Sequence, residues 1–174
     1  MRAAALTGVV LASALLGGCS PGEEADEPTG DELAAVAWSP CDDLTAAQVS
    51  RITREPMVEQ NGTTDEPRCT FTPVTEGGAA YDVNYLWFDG TLDAALDSMG
   101  AASSRLRPAS VAGADAARLA VRERASGILV TGFVQTDGLV QSVNGVHLVP
   151  YDRDTVVTDT TELLAVLARQ APPG

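Results

Sequence analysis

The sequence predicts an α+β fold in which helices near the N and C termini pack against a largely antiparallel β-sheet, with one disulfide bond. Three observations predict it. Helix-start signatures stand at Thr45 and Asp159, alternating side chains mark a strand over 81–88, and Asp137-Gly138 has the composition of a two-residue hairpin turn. Because such turns join neighbouring strands that run in opposite directions, the sheet is expected to be antiparallel.

The first 18 residues have the pattern of a lipoprotein signal peptide. Arg2 supplies a positive charge, residues 3–16 are uncharged and mostly apolar, and Leu16-Gly17-Gly18-Cys19 resembles a bacterial lipobox. The apolar stretch is shorter than the roughly 20 residues that span a membrane. The alternative is an ordinary secretory signal with an incidental cysteine. We predict that Cys19 carries diacylglycerol and anchors the protein on the extracytoplasmic face of the cell membrane.

An acidic tether is predicted over residues 19–37. It contains several Glu and Asp residues and no aromatic residue, so it buries too little apolar area to offset the entropy of ordering the chain. The α+β domain is therefore predicted over residues 38–171, followed by a short tail at 172–174.

The composition excludes several classes of function. Every one of the 11 cationic residues is Arg, which excludes a Schiff-base lysine, a Walker-A motif and a Ser-x-x-Lys site. A net charge of −13 argues against binding nucleic acid through its phosphates. No cofactor is indicated. The expected partners are the membrane, through the anchor, and an envelope protein or a small ligand, with the protein itself a monomer.

Two cysteines remain once Cys19 is assigned to lipid. In an exported domain, Cys41 and Cys69 are expected to form a disulfide bond. A metal site or a reactive thiol is the alternative. Two cysteines and the single histidine, His147, do not complete a closed tetrahedral zinc site, so no metal site is predicted.

The first clear helix is predicted from Thr45 to about Thr53. Thr45 and Gln48 have the spacing of a capping box, and Leu44 and Val49 occupy the positions of a hydrophobic staple. These interactions all lie within one turn of the helix start. They therefore predict where the helix begins without reference to the rest of the fold.

Two strands are predicted next, over 68–72 and 81–88. In the second, Tyr81, Tyr85 and Trp87 share one face because side chains alternate along a strand. In an antiparallel sheet such a face is expected to pack into the core. The alternative is that these three rings form a stacking wall that binds a sugar or a lipid head group.

A helix over 91–99 and a strand over 118–122 follow. The arginines of this strand region, Arg118, Arg122 and Arg124, could form a cationic edge for an anionic envelope polymer. Protection of an edge strand against aggregation explains them equally well.

A hairpin and a last helix complete the predicted domain. Strands over 128–136 and 139–143 are joined by Asp137-Gly138 in a type I′ turn. Asn144-Gly145 either forms a second turn or lies within a longer strand. The capping box that runs from Asp159 to Glu162 is predicted to begin the C-terminal helix.

No catalytic residues are predicted. The hairpin register places His147, the only histidine, opposite Ile128, where a structural role is expected. No Gly-x-Ser-x-Gly motif occurs, and Asp152-Arg153-Asp154 is interpreted as a solvated loop. We predict a binding or accessory module. The alternatives are a sensor or partner domain for an envelope signalling protein, a carrier of lipid or sugar, and an enzyme.

Three short motifs are similar to those of one known family. They are Cys41-Asp42-Asp43-Leu44-Thr45, Cys69-Thr70-Phe71 and Gly113-Ala114-Asp115-Ala116-Ala117. The chain resembles the family called domain of unknown function 3558, small lipoproteins of high-G+C Gram-positive bacteria, over residues 41–168. Phe71 stands where Trp is the commoner aromatic residue. The resemblance implies a Cys41–Cys69 disulfide and an envelope location, and it implies no activity.

Overall fold

Seven strands form one antiparallel sheet in the computed structural model, which describes residues 38–63, 67–101 and 105–173. The α+β fold class is confirmed. Three predictions lie outside the described residues: the signal peptide over 1–18, the lipidation site Cys19 and the tether over 19–37.

In the described part of the chain, helices precede, separate and follow two groups of strands. In chain order they are α1 (Pro40–Asp43), α2 (Ala46–Thr53), β1 (Met57–Asn61), β2 (Arg68–Pro73), β3 (Ala80–Trp87), α3 (Leu92–Ser98), β4 (Arg107–Pro108), β5 (Ala116–Arg124), β6 (Gly127–Thr136), β7 (Leu139–Leu148) and α4 (Arg153–Gln170). The strands lie in the order β1-β2-β3-β7-β6-β5-β4. After β3 the chain therefore crosses to the far edge of the sheet, carrying α3, and returns strand by strand until β7 pairs with β3.

The β6–β7 hairpin has the predicted turn. Asp137 and Gly138 both have positive φ angles, of 47° and 80°, as a type I′ turn requires, and Thr136 pairs with Leu139. Asn144-Gly145 lies inside β7, which settles the alternative that the sequence left open.

The N-terminal helices are held by local caps and by the predicted disulfide. The Thr45 side chain accepts a hydrogen bond from the Gln48 backbone, and the Gln48 side chain accepts one from the Thr45 backbone at 2.8 Å. The disulfide between Cys41 and Cys69 is confirmed, and it links α1 to β2. This bond holds the helical N-terminal segment against the sheet.

The predicted start of the C-terminal helix is wrong by about two turns. Asp152 is the N-cap of α4, and its side chain accepts a hydrogen bond from the Thr155 backbone at 2.7 Å. Asp152-Arg153-Asp154 is therefore a helix start and not a loop. Asp159 lies in the middle of α4 and is buried. The early turns form because Val156 packs against apolar residues of β6.

The two faces of the sheet are covered unequally. The first face, which carries Val83, Val134 and Val143, packs against α1, α2 and α4 and forms the main core. A Cβ atom at Gly132 would overlap the side chain of Leu164, so glycine is needed there for α4 to lie this close to the sheet.

The second face, which carries Phe133 and Val140, packs against α3 in a smaller cluster. Because α3 has only seven residues, it covers only part of this face. None of the helices within the described ranges is long and apolar enough to cross a membrane.

Candidate functional site

The aromatic residues of β3 do not form one exposed surface. Tyr81 is only 1% exposed and belongs to the core, whereas Trp87 is 46% exposed. Tyr85 is half-buried, and its ring contacts Trp38 edge-on with 5.3 Å between centroids. The strand thus passes from the core to the surface along its length. A stacking wall made of all three β3 rings is not assembled.

His147 lies opposite Ile128, as the hairpin register predicts. Its Nδ1 atom is 2.7 Å from the carbonyl oxygen of Leu148, and its ring lies 6.4 Å from that of Tyr151. It lines a shallow depression that Glu55 also lines. No hydrogen bond from the His147 ring to a carboxylate or a hydroxyl occurs within residues 38–63, 67–101 and 105–173, so no general-base pair is formed there.

A buried acidic cluster lies beneath α4 on the first face and consists of Glu55, Tyr81 and Asp159. Burial raises the pKa of Asp159 to about 6; Arg54 lowers this pKa, and Glu162 and Glu55 raise it. Burial, followed by the charges of Asp159 and Glu55, raises the pKa of Tyr81. One oxygen atom in each of the three side chains has no hydrogen-bond partner among the described residues.

The buried acidic cluster is suited to modulate stability and not to perform chemistry. Asp159 is 4% exposed and Tyr81 is more enclosed still, so a substrate cannot reach them without displacing α4. Arg54 lies 3.9 Å from Asp159, but its side chain is 72% exposed and solvent screens the pair. Arg54 therefore offsets only a small part of the cost of burying the Asp159 carboxylate.

An open groove lies on the second face, with Ala101, Arg105 and Leu106 on one side and the strands β5 and β6 on the other. Its volume is about 240 Å³. Its walls are mainly apolar and are formed by Ala101, Leu106, Ala120, Leu129 and Phe133.

Strand alternation explains which side chains line the groove. Along β6, Leu129, Thr131 and Phe133 point to the second face, while Val130 and Val134 point to the first face. Thr131 donates a hydrogen bond to Asn144 on β7 at 2.9 Å and closes one end of the apolar wall with a polar pair.

Two arginines give the groove a positive rim. Arg105 and Arg122 both line it, and both side chains are exposed. Neither guanidinium group makes an ion pair or a hydrogen bond with another residue of the described ranges. Arg118, by contrast, bonds Asp93 at 2.8 Å. The predicted cationic edge is therefore not uniform: Arg118 is neutralised by Asp93, Arg122 lines the groove, and Arg124 is exposed but does not line it.

Metal coordination has no support in the described part of the chain. No group of three or more His, Cys, Asp or Glu residues there could hold a metal ion. Cys41 and Cys69 form a disulfide bond, so neither has a thiolate that could bind a metal ion.

Sequence reasoning identified Arg122 but missed the rest of the groove. Leu106 and Arg105 follow α3, whereas Leu129 and Phe133 belong to β6, and no local motif connects these segments. The only available signal was the alternation of β6, which has large side chains on both faces. That pattern indicates a strand covered on both sides, and α3 and α4 do cover β6 in this way.

Comparison with known proteins does not assign this chain to a family. No protein-family model matches the chain, and no curated protein or solved structure matches it significantly. The resemblance to the domain of unknown function 3558 family therefore stays a prediction.

Proposed function

We propose that this protein is a lipid-anchored, extracytoplasmic binding module of the cell envelope, and that the groove on the second face is its ligand site. The observation that carries the proposal is an apolar groove left open beside a well-packed core. Concave, mainly apolar sites with a few polar groups at the rim are typical of ligand-binding proteins. The lipobox-like sequence at Cys19 supports the location.

The anchor is tested by metabolic labelling with a palmitate analogue. We expect the full-length protein to be labelled and to be recovered with membranes, and we expect Cys19→Ser to be unlabelled. The physical reason is that the acylated N-terminal cysteine carries the chains that hold the protein in the bilayer. Equal labelling of the two proteins would contradict the proposed anchor.

The groove is tested with N-phenyl-1-naphthylamine, an uncharged dye that fluoresces in apolar surroundings. Ala120→Trp fills the groove with an indole and should weaken dye binding by about tenfold or more, since the apolar contacts of the dye are lost. Fluorescence titration of the purified protein measures the change.

Two further variants make this test specific. Ala94→Trp adds the same indole to an exposed position on α3 and should bind the dye like the unmodified protein. Leu129→Asn makes the wall polar without filling it and should also weaken binding. Unchanged affinity in both groove variants would overturn the groove as the ligand site.

A partner domain for an envelope protein is the second candidate. Leu86, Val146 and Leu148 all lie on the second face and are exposed, and apolar side chains at the surface favour protein contacts. A carrier is less well supported, because carriers enclose their ligand, whereas this groove is open to solvent.

A further inference from the structure

We infer that the groove binds a single-chain amphiphile with an anionic head group, whose chain lies against Leu106, Leu129 and Phe133 and whose head group is held by Arg105 and Arg122. This inference rests on the proposed function, because it names the ligand class of the same groove.

The apolar part of the ligand follows from the walls. Leu106 is buried, and Leu129 and Phe133 are half-buried, so the groove already excludes much of the water from its floor. A volume of about 240 Å³ fits one narrow chain and not a folded peptide. Burial of successive methylene groups of the ligand along the floor supplies the affinity.

The charge of the head group follows from the rim. Of the five arginines within residues 105–124, Arg105 and Arg122 line the groove, in a chain whose net charge is −13. A guanidinium group presents paired N–H donors that match the oxygen atoms of a phosphate or a carboxylate. An anion that enters the groove therefore meets two exposed guanidinium groups, although the chain as a whole is negatively charged.

The acids of the same segment do not cancel this charge. Glu123 lies between Arg122 and Arg124 in sequence, but alternation turns it to the first face, where it bonds Arg153 at 2.9 Å. Asp115 accepts a hydrogen bond from the Asp137 backbone at the β6–β7 turn. Neither carboxylate lines the groove.

The structure favours an amphiphile over the anionic polymer that the arginines first suggested. A polymer needs a continuous row of cations, and the row is interrupted where Arg118 bonds Asp93. The remaining positive charge is the short rim formed by Arg105 and Arg122 above the apolar floor. An amphiphile matches both surfaces, because its anionic head group meets the rim and its apolar chain meets the floor.

The test is displacement of N-phenyl-1-naphthylamine from the full-length protein by dodecyl phosphate and by dodecanol, each below the concentration at which it aggregates. We expect dodecyl phosphate to bind about 10-fold to 100-fold more tightly than dodecanol, because charge-assisted hydrogen bonds add to the same chain contacts. Arg122→Gln, and the double variant Arg105→Gln/Arg122→Gln, should lose this preference and keep their affinity for dodecanol. Arg51→Gln, on the exposed surface of α2, should behave like the unmodified protein.

The possible outcomes separate this inference from the proposed function. If the dye itself does not bind in the groove, the proposed function fails. If the dye binds but the alcohol and the phosphate displace it equally, or if neither displaces it, the inference is overturned and the groove remains a site. If the Cys19→Ser protein floats with vesicles of anionic phospholipid but ignores monomeric dodecyl phosphate, the arginines recognise a membrane surface and the inference is also overturned.

Discussion

Replacing Cys41 and Cys69 together by alanine is expected to lower the free energy of unfolding by about 3.5 kcal/mol. The disulfide joins residues that lie 28 positions apart, and closing a loop of this length removes many conformations from the unfolded chain. Net stabilities of single domains are about 5–15 kcal/mol, so the loss is a large share of the total. Urea denaturation followed by circular dichroism measures it.

Reduction provides the control for this prediction. A thiol reductant should lower the stability of the unmodified protein towards that of the double variant, and it should leave the variant unchanged. A double variant that matches the stability of the oxidised protein would show that the disulfide contributes nothing. Because Cys69 is fully buried on β2, part of the loss reflects packing, and the reductant experiment separates the bond from the missing sulfur atoms.

Asp159→Asn is expected to stabilise the protein by about 3 kcal/mol at pH 7 and by less than about 1 kcal/mol at pH 4. Burial raises the pKa of Asp159 from 3.8 to about 6 in the folded state. The stability that this group contributes is fully present only well below pH 3.8, where it is protonated in both states. It is lost as the pH rises through about 6, because the unfolded chain releases the proton first. Asparagine keeps the shape and carries no charge at any pH, so the variant avoids this loss.

The measurement is the free energy of unfolding of the variant and of the unmodified protein at several pH values. Taking the difference between the two proteins at each pH removes the contribution of the carboxylates that both proteins share. The groups that face Asp159 are Arg54, Glu55, Glu162 and Tyr81, and all are retained in the variant. Asp97→Asn makes the same chemical change on the exposed surface of α3 and should change stability by less than about 0.5 kcal/mol at each pH. An Asp159→Asn effect that is the same at pH 4 and pH 7 would contradict the raised pKa.

Local signals in the sequence predicted the parts of the fold that depend on neighbouring residues. The cap at Thr45 uses Gln48, three residues away, and the β6–β7 turn needs only the positive φ angles of Asp137 and Gly138. Both were located correctly. The disulfide was also predicted, from the export signal that the first residues resemble and from the two cysteines that remain if Cys19 carries lipid.

Local signals in the sequence did not predict the start of α4, because two similar helix-start signals lie close together there. Asp152 and Asp159 both precede helix-forming residues, and the sequence does not show which one caps α4. The structure selects Asp152, since the turn that follows brings Val156 onto Ile128 and Val130. Burial of apolar surface therefore decided the helix start, and it left Asp159 inside the core with a raised pKa.

The amino-acid sequence by itself determined the class of fold, the cap at Thr45, the main hairpin and the pairing of Cys41 with Cys69. Only the tertiary structure decided that the aromatic strand runs from the core to the surface and that a groove with two arginines opens on the second face. The reason is physical. Caps and turns are made by residues a few positions apart. The groove, by contrast, is lined by residues that lie far apart in the sequence, such as Leu106 and Phe133. It is open because the seven-residue helix α3 covers only part of the second face.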